Sequence, residues 1–132
     1  MKINKPKIVI SKCLEFEPCR YDGQIITNKY IDLLKEYVDF LTVCPEVEIG
    51  LGIPRDPIHL INVKNKMSLY QPTSKRDLGK LMDEFSNKFV NDLNEVDGFI
   101  LKSRSPSCAI STAKQYSNKE NKSPMGHGSG LF

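Results

Sequence analysis

Two strand–helix–strand passages, a long amphipathic helix and three cysteines, each set just beyond an apolar run, predict an α/β fold. The expected architecture is a three-layer, Rossmann-like domain with a largely parallel sheet. Ligands in such sheets bind outside the carboxyl ends of the strands. Cys13, Cys44 and Cys108 fall at those ends.

The first strand is Lys7–Ser11, "KIVIS", a short β-branched run. "EFEPCRYDGQ" then reads as a loop, because Pro18 and Asp22-Gly23 are turn signals. Asn28 is placed to cap a helix running to about Tyr37 or Val38, with Ile31, Leu34 and Val38 on one face. Residues 39–43 form the second strand. "CPEVEIGLGIPRDP", with three prolines and two glycines, is expected to be an irregular loop. Ile58–Val63 and Met67–Tyr70 read as strands joined by "KNK", a hairpin or edge pair. Leu78, Leu81, Met82, Phe85, Phe89, Val90 and Leu93 recur at helical spacing, which predicts a helix from about Ser74 to Asn94. Ser74 and Asp77 resemble a capping box with Asp in place of Glu. Asp97–Leu101 is expected to be a buried strand, and every crossover right-handed.

A chain of 132 residues is one domain long, and 39% hydrophobic with 27% charged residues is ordinary for a folded soluble protein. The formal charge of +3 permits contact with RNA without arguing for it. No apolar run reaches the roughly 18–20 residues of a membrane span, and "MKINKPKIVI" lacks a signal-peptide core. The expected compartment is the cytoplasm, where cysteine patterns mean metal or catalysis more often than disulfides. Leu131-Phe132, directly after Gly130, reads as the start of a further element. The domain is therefore expected to fill residues 1–132, with its carboxyl end truncated or continued by a second domain.

Of the four cysteines, Cys13, Cys19, Cys44 and Cys108, no two form C-x-x-C, which argues against a zinc ribbon or a thioredoxin-type pair. Three thiolates from three loops suit an iron–sulfur cluster with one iron left without a protein ligand. The competing reading is that they are small buried hydrophobes. Glu46 stands two residues after Cys44, and Ser105 and Ser107 precede Cys108. A carboxylate there can move a proton or activate water, and serine hydroxyls can donate to a developing anion. Taken singly, Glu46 is a solvated loop charge and Ser105 a turn residue; their combination with the cysteines gives them weight.

"ISKCLEFEPCRYDG", "VCPEVEIGLGIPR" and "LKSRSPSCA" resemble the three signature blocks of the thiouracil desulfidase family, in order, across essentially the whole chain. The ending, "GHGSGLF", is similar to that of the family's two-domain members, which act on thiouridine in tRNA. The resemblance implies a [4Fe–4S] cluster held by Cys13, Cys44 and Cys108, with Glu46 as catalytic acid–base and Ser105 as active-site serine. It implies a non-redox, hydrolytic C–S cleavage that removes sulfur from a thiolated uracil, 4-thiouridine in tRNA being the expected substrate. Ala109 departs from the pattern, since relatives carry glycine there and alanine is reluctant to adopt positive φ.

The three cluster sulfurs are expected within about 7 Å of one another, each capping a different iron, with Cys19 outside the triangle. Tyr21, Asp22 and Ser107 are candidate substrate contacts, Tyr21 by stacking on a base and Asp22 by accepting an N–H. The bland reading is favoured for the first block: Asp22-Gly23 makes a turn and Arg20 pairs with a loop carboxylate. Arg55 and Lys102 either meet phosphate or are solvated. Three alternatives stand beside the main reading: desulfidation of free thiouracil bases, an iron–sulfur or zinc domain that only senses or folds, and a non-catalytic RNA-binding module. Glu46 separates the first from the other two, because sensing and binding do not need a carboxylate beside a cluster.

Overall fold

The computed structural model describes residues 4–119, 124 and 126–132. The expected α/β domain is present, built on two sheets. The first is wholly parallel and carries β1 (Lys7–Ser11) between β2 (Asp39–Val43) and β6 (Gly98–Ile100). β1 takes the centre because its β-branched side chains are apolar on both faces; Val9 and Ile10 are fully buried. The second sheet runs in the order β5 (Arg76–Asp77), β4 (Lys66–Gln71), β3 (His59–Val63), β7 (Ala113–Tyr116), β8 (Gly126–Gly128). Its β3–β7 pair is parallel and its other pairs are antiparallel.

The helices are α1 (Lys29–Leu34), α2 (Pro45–Glu48) and α3 (Gly79–Asp92). Asn28 caps α1 as expected, its Oδ1 accepting from Tyr30 N at 3.0 Å and Ile31 N at 3.2 Å. The helix stops at Leu34, short of Tyr37; of its apolar face only Ile31 is buried, so little packing rewards a longer helix. The "KNK" hairpin turns through Lys64 (φ 51°) and Asn65 (φ 63°), two left-handed residues that match the twist of a two-residue hairpin.

Four expectations need correction. The loop after β2 opens with α2, because Pro45 at the first helical position needs no amide partner. The capping box does not form: Arg76 and Asp77 pair with β4, and Ser74 Oγ donates to Gln71 Oε1 instead. The long helix therefore begins at Gly79, whose amide donates to Asp77 Oδ1 at 3.0 Å. β6 is an edge strand with Phe99 45% exposed, so it is only half-buried. β8 pairs with β7, and residues 120–123 and 125 lie outside the described residues.

One core, around Ile10, Leu14 and Ile31, joins the parallel sheet to α1; Cys13 and Cys19 belong to it. The other, around Leu60, Leu69, Leu78 and Met82, joins the second sheet to α3. Among the described residues no helix is long and apolar enough to cross a membrane.

Candidate active site

A cavity of about 780 Å³ opens where the carboxyl ends of β1 and β2 and the segment after β6 face the second sheet. Cys13, Cys19, Cys44 and Cys108 all line it, and all four are free thiols. Cys13 follows β1 by a tight turn, in which Leu14 N donates to Ser11 O at 3.0 Å. Cys44 occupies the N-cap position of α2 without a side-chain capping bond, and Cys108 sits in the turn Ser105–Ala109.

Cys19, expected outside the cysteine triangle, is a neighbour of two of its corners, Cys13 and Cys44. Its carbonyl accepts from Cys44 Sγ at 3.7 Å. The loop signals at Pro18 and Asp22-Gly23 could not show that the chain folds back to bury Cys19 to 2% exposure. The hydrogen bond with Cys19 lowers the Cys13 thiol below its ordinary value against burial and the charges of Cys108 and Cys44. The same bond, from the other side, pushes Cys19 up to about 11. Its bond with Cys19, then burial, raises Cys44. Burial first, with Glu46's charge, raises Cys108 to about 12, although the Ser11 and Ser105 hydroxyls work to lower it. Among the described residues no group of three or more His, Cys, Asp or Glu is gathered to hold a single metal ion.

Glu46 projects from the first turn of α2 and is held at both oxygens. Oε1 accepts from Arg55 Nε at 3.0 Å and Oε2 from Ser107 Oγ at 3.3 Å. Arg55 is neither solvated nor free for phosphate: its side chain is 5% exposed, and Nη1 donates to Cys19 O at 3.0 Å and Gly52 O at 3.2 Å. One guanidinium thus ties together Glu46, the loop of Cys19 and the loop before Arg55. Sequence reasoning missed this; the one available signal was that Arg55 ends the same block that Cys44 and Glu46 open.

Ser105 lines the cavity, and its Oγ accepts from Ser107 N at 3.2 Å and Cys108 N at 3.0 Å. It is a turn residue and a cavity residue at once. Ser107 is 1% exposed and lies behind Glu46, outside the cavity lining, so it positions the carboxylate. Ala109 is not among the residues with positive φ, so alanine is accommodated without strain.

Tyr21, 41% exposed, lines the cavity with Arg20 stacked over its ring at 5.6 Å. The expected Arg20–carboxylate pair is absent among the described residues. Asp22 lies outside the lining and accepts from Gln24 N at 3.1 Å, which is the turn reading. Lys12, Arg20, Lys102, Arg104 and Lys114 add positive charge to the wall. Burial, followed by the charges of Arg20 and Arg104, lowers the Lys102 amine below its ordinary value. Across the cavity His59 and Tyr116 stack at 4.0 Å, and Ser11, buried under Cys108, accepts from Lys102 N at 2.9 Å. None of these three was legible beforehand, because each depends on how the second sheet meets the first.

A family sequence model described as 2-thiouracil desulfurase matches residues 8–132. The uncharacterized protein YbbK of Bacillus subtilis (strain 168) is 31% identical, with 76% of this chain and 72% of that protein covered. The solved structure of the [4Fe-4S]-dependent thiouracil desulfidase TudS superposes with a TM-score of 0.70 at 29% identity, covering 96% of this chain and 82% of that one. The signature blocks, the fold and the sequence match over residues 8–132 lead to one conclusion: the chain belongs to the 2-thiouracil desulfurase family.

Proposed function

We propose that this chain is a [4Fe–4S]-dependent desulfidase that hydrolytically removes sulfur from a thiolated uracil, 4-thiouridine in tRNA, in the cytoplasm. The observation that carries the reading is that Cys13, Cys44 and Cys108, from the segments after β1, β2 and β6, line one cavity beside a doubly anchored carboxylate.

The donor set fits the cluster. Cys13, Cys44 and Cys108 are soft thiol donors from three separate loops, and the Ser11 and Ser105 hydroxyls beside Cys108 are placed to donate to its thiolate. When bound, the cluster supplies a soft iron without a protein ligand, which takes sulfur readily.

The chain's own residues supply the rest. Arg55 and Ser107 fix Glu46 so that its carboxylate reaches the cavity in one orientation, ready to take a proton from water or return one to the leaving sulfur. The Ser105 hydroxyl lines the cavity with its oxygen occupied as an acceptor, and its one hydrogen serves the Cys108 sulfur or a water or substrate beside it. The exposed Tyr21 ring gives a uracil a face to stack on. Tyr21, Arg20, Lys102 and Arg104 at one cavity support a phosphate-bearing substrate, because Lys and Arg meet phosphate oxygens whatever the base.

A second reading, free thiouracil as substrate, is favoured by the name of the similar solved protein. Anaerobic purification, iron and sulfide analysis, and sulfide release from 4-thiouracil, 4-thiouridine and thiolated tRNA test both. Release from the tRNA at a higher kcat/KM supports the first; release from the base alone supports the second; iron-free, inactive protein rejects both.

A further inference from the structure

The turn that carries Cys108 has no regular secondary structure, yet three of its carbonyls are bound by a single segment. Gly130 N donates to Ala109 O at 2.7 Å, Leu131 N to Pro106 O at 3.0 Å and Phe132 N to Ser107 O at 2.9 Å. Three consecutive amides therefore grip one turn from outside, while Ser105 ties it from inside. The approach is close enough to exclude any side chain at Gly130. A Cβ there would run into Ser107 O, 2.5 Å from Ser107 C and 2.9 Å from Cys108 N, all backbone atoms that cannot swing away. The grip is itself anchored, because the Phe132 ring packs against Phe85 at 5.8 Å and Phe89 at 5.4 Å on α3.

We propose that Gly130–Phe132 is a positioning element of the active site: it presses the Ser105–Ala109 turn into place, so that Cys108, and Glu46 through Ser107, are held in register with Cys13 and Cys44. The consequence for turnover rests on the desulfidase reading; the consequence for the thiol does not. Isolated turns open locally at small free-energy cost, and buried groups on them are then exposed. Without the clamp, Cys108 at 6% exposure loses its cover while Cys13, on the β1 turn, keeps its own.

The test compares Gly130→Ala with Gly128→Ala, whose new Cβ meets only the Gln115 side chain. Alkylation of each cysteine is followed by mass spectrometry on metal-free protein under anaerobic conditions. Cys108 in Gly130→Ala is expected to react about tenfold faster, with Cys13 unchanged and Gly128→Ala like the parent. In cluster-loaded protein kcat is expected to fall about 10²-fold, as for a small misplacement of reacting groups, with KM retained. Should Gly130→Ala not fold, Phe132→Ala keeps the backbone bonds but removes the anchor and is expected to expose Cys108 likewise, with Phe132→Leu restoring most of the protection. Unchanged Cys108 reactivity in folded variants, or equal acceleration of all four thiols, overturns the proposal. A selective Cys108 change in a protein that releases no sulfide supports the clamp and sinks the desulfidase reading alone.

Discussion

Glu46 and Arg55 form a pair whose side chains are 13% and 5% exposed, and the two residues do different work. Glu46→Gln keeps shape and one hydrogen bond but removes the proton-accepting charge. Turnover is expected to fall on the order of 10²–10⁴-fold while iron content is retained, read by sulfide release beside iron analysis. Arg55→Ala leaves a mostly buried carboxylate without its charged partner and takes a donor from the Cys19 and Gly52 carbonyls. Such a loss costs about 3 kcal/mol, so the urea midpoint is expected to drop along with activity. Arg55→Lys keeps the charge but not the fork, and is expected to fall between the two. Glu46 was legible because it sits two residues from a cysteine; Arg55 was not. A lone arginine in a proline-rich loop carries no mark of burial until the loop closes on Cys19 O and Gly52 O.

At the level of elements, α3 shows how a side chain moves a boundary. Burial works to raise the Asp77 carboxyl, but hydrogen bonds from Gly79 N and Ser68 Oγ, with Lys119 nearby, outweigh it and hold the group below its ordinary value. A carboxylate lowered on folding stabilises the fold above its unfolded pKa, and that contribution is lost as pH falls through the lower folded value. Asp77→Ala is therefore expected to cost about 1 kcal/mol near neutrality, as for a lost cap. Thermal unfolding followed from pH 7 downward is expected to show the gap between variant and parent closing at acid pH; a constant gap would contradict the assignment. The helical period of Leu78–Leu93 predicted α3 because packing spacing is local. Its start was not predicted, because Arg76 and Asp77 are drawn into β4's sheet by a partner strand that spacing cannot reveal. The same holds for β8, a glycine-rich stretch that forms a strand only because β7 lies beside it.

The molecule as a whole carries a formal charge of only +3, yet gathers Lys12, Arg20, Lys102, Arg104 and Lys114 at one cavity. Binding of a thiolated RNA is expected to weaken as salt rises, with log affinity falling about 0.7 per phosphate contact per log unit of salt. Lys102→Ala and Arg104→Ala are expected to flatten that dependence, whereas a free thiobase should show almost none; fluorescence anisotropy across a salt series reads both. The α/β class and the places of Cys13 and Cys44 just beyond β1 and β2 were readable from sequence because strand period and turn residues are local signals, whereas Cys108 stands in a separate turn well past β6. The cavity itself was not, since it exists only where the parallel sheet meets the second one.

The central claim is that Cys13, Cys44 and Cys108 hold a cluster and Cys19 does not. Iron per chain, measured after anaerobic reconstitution of the parent and the four single Cys→Ser variants, tests it most directly. About four irons are expected in the parent and in Cys19→Ser, where serine keeps a hydroxyl beside Cys13, with severe loss in the other three. Full iron in Cys13→Ser, Cys44→Ser or Cys108→Ser, or its loss in Cys19→Ser alone, would contradict the account.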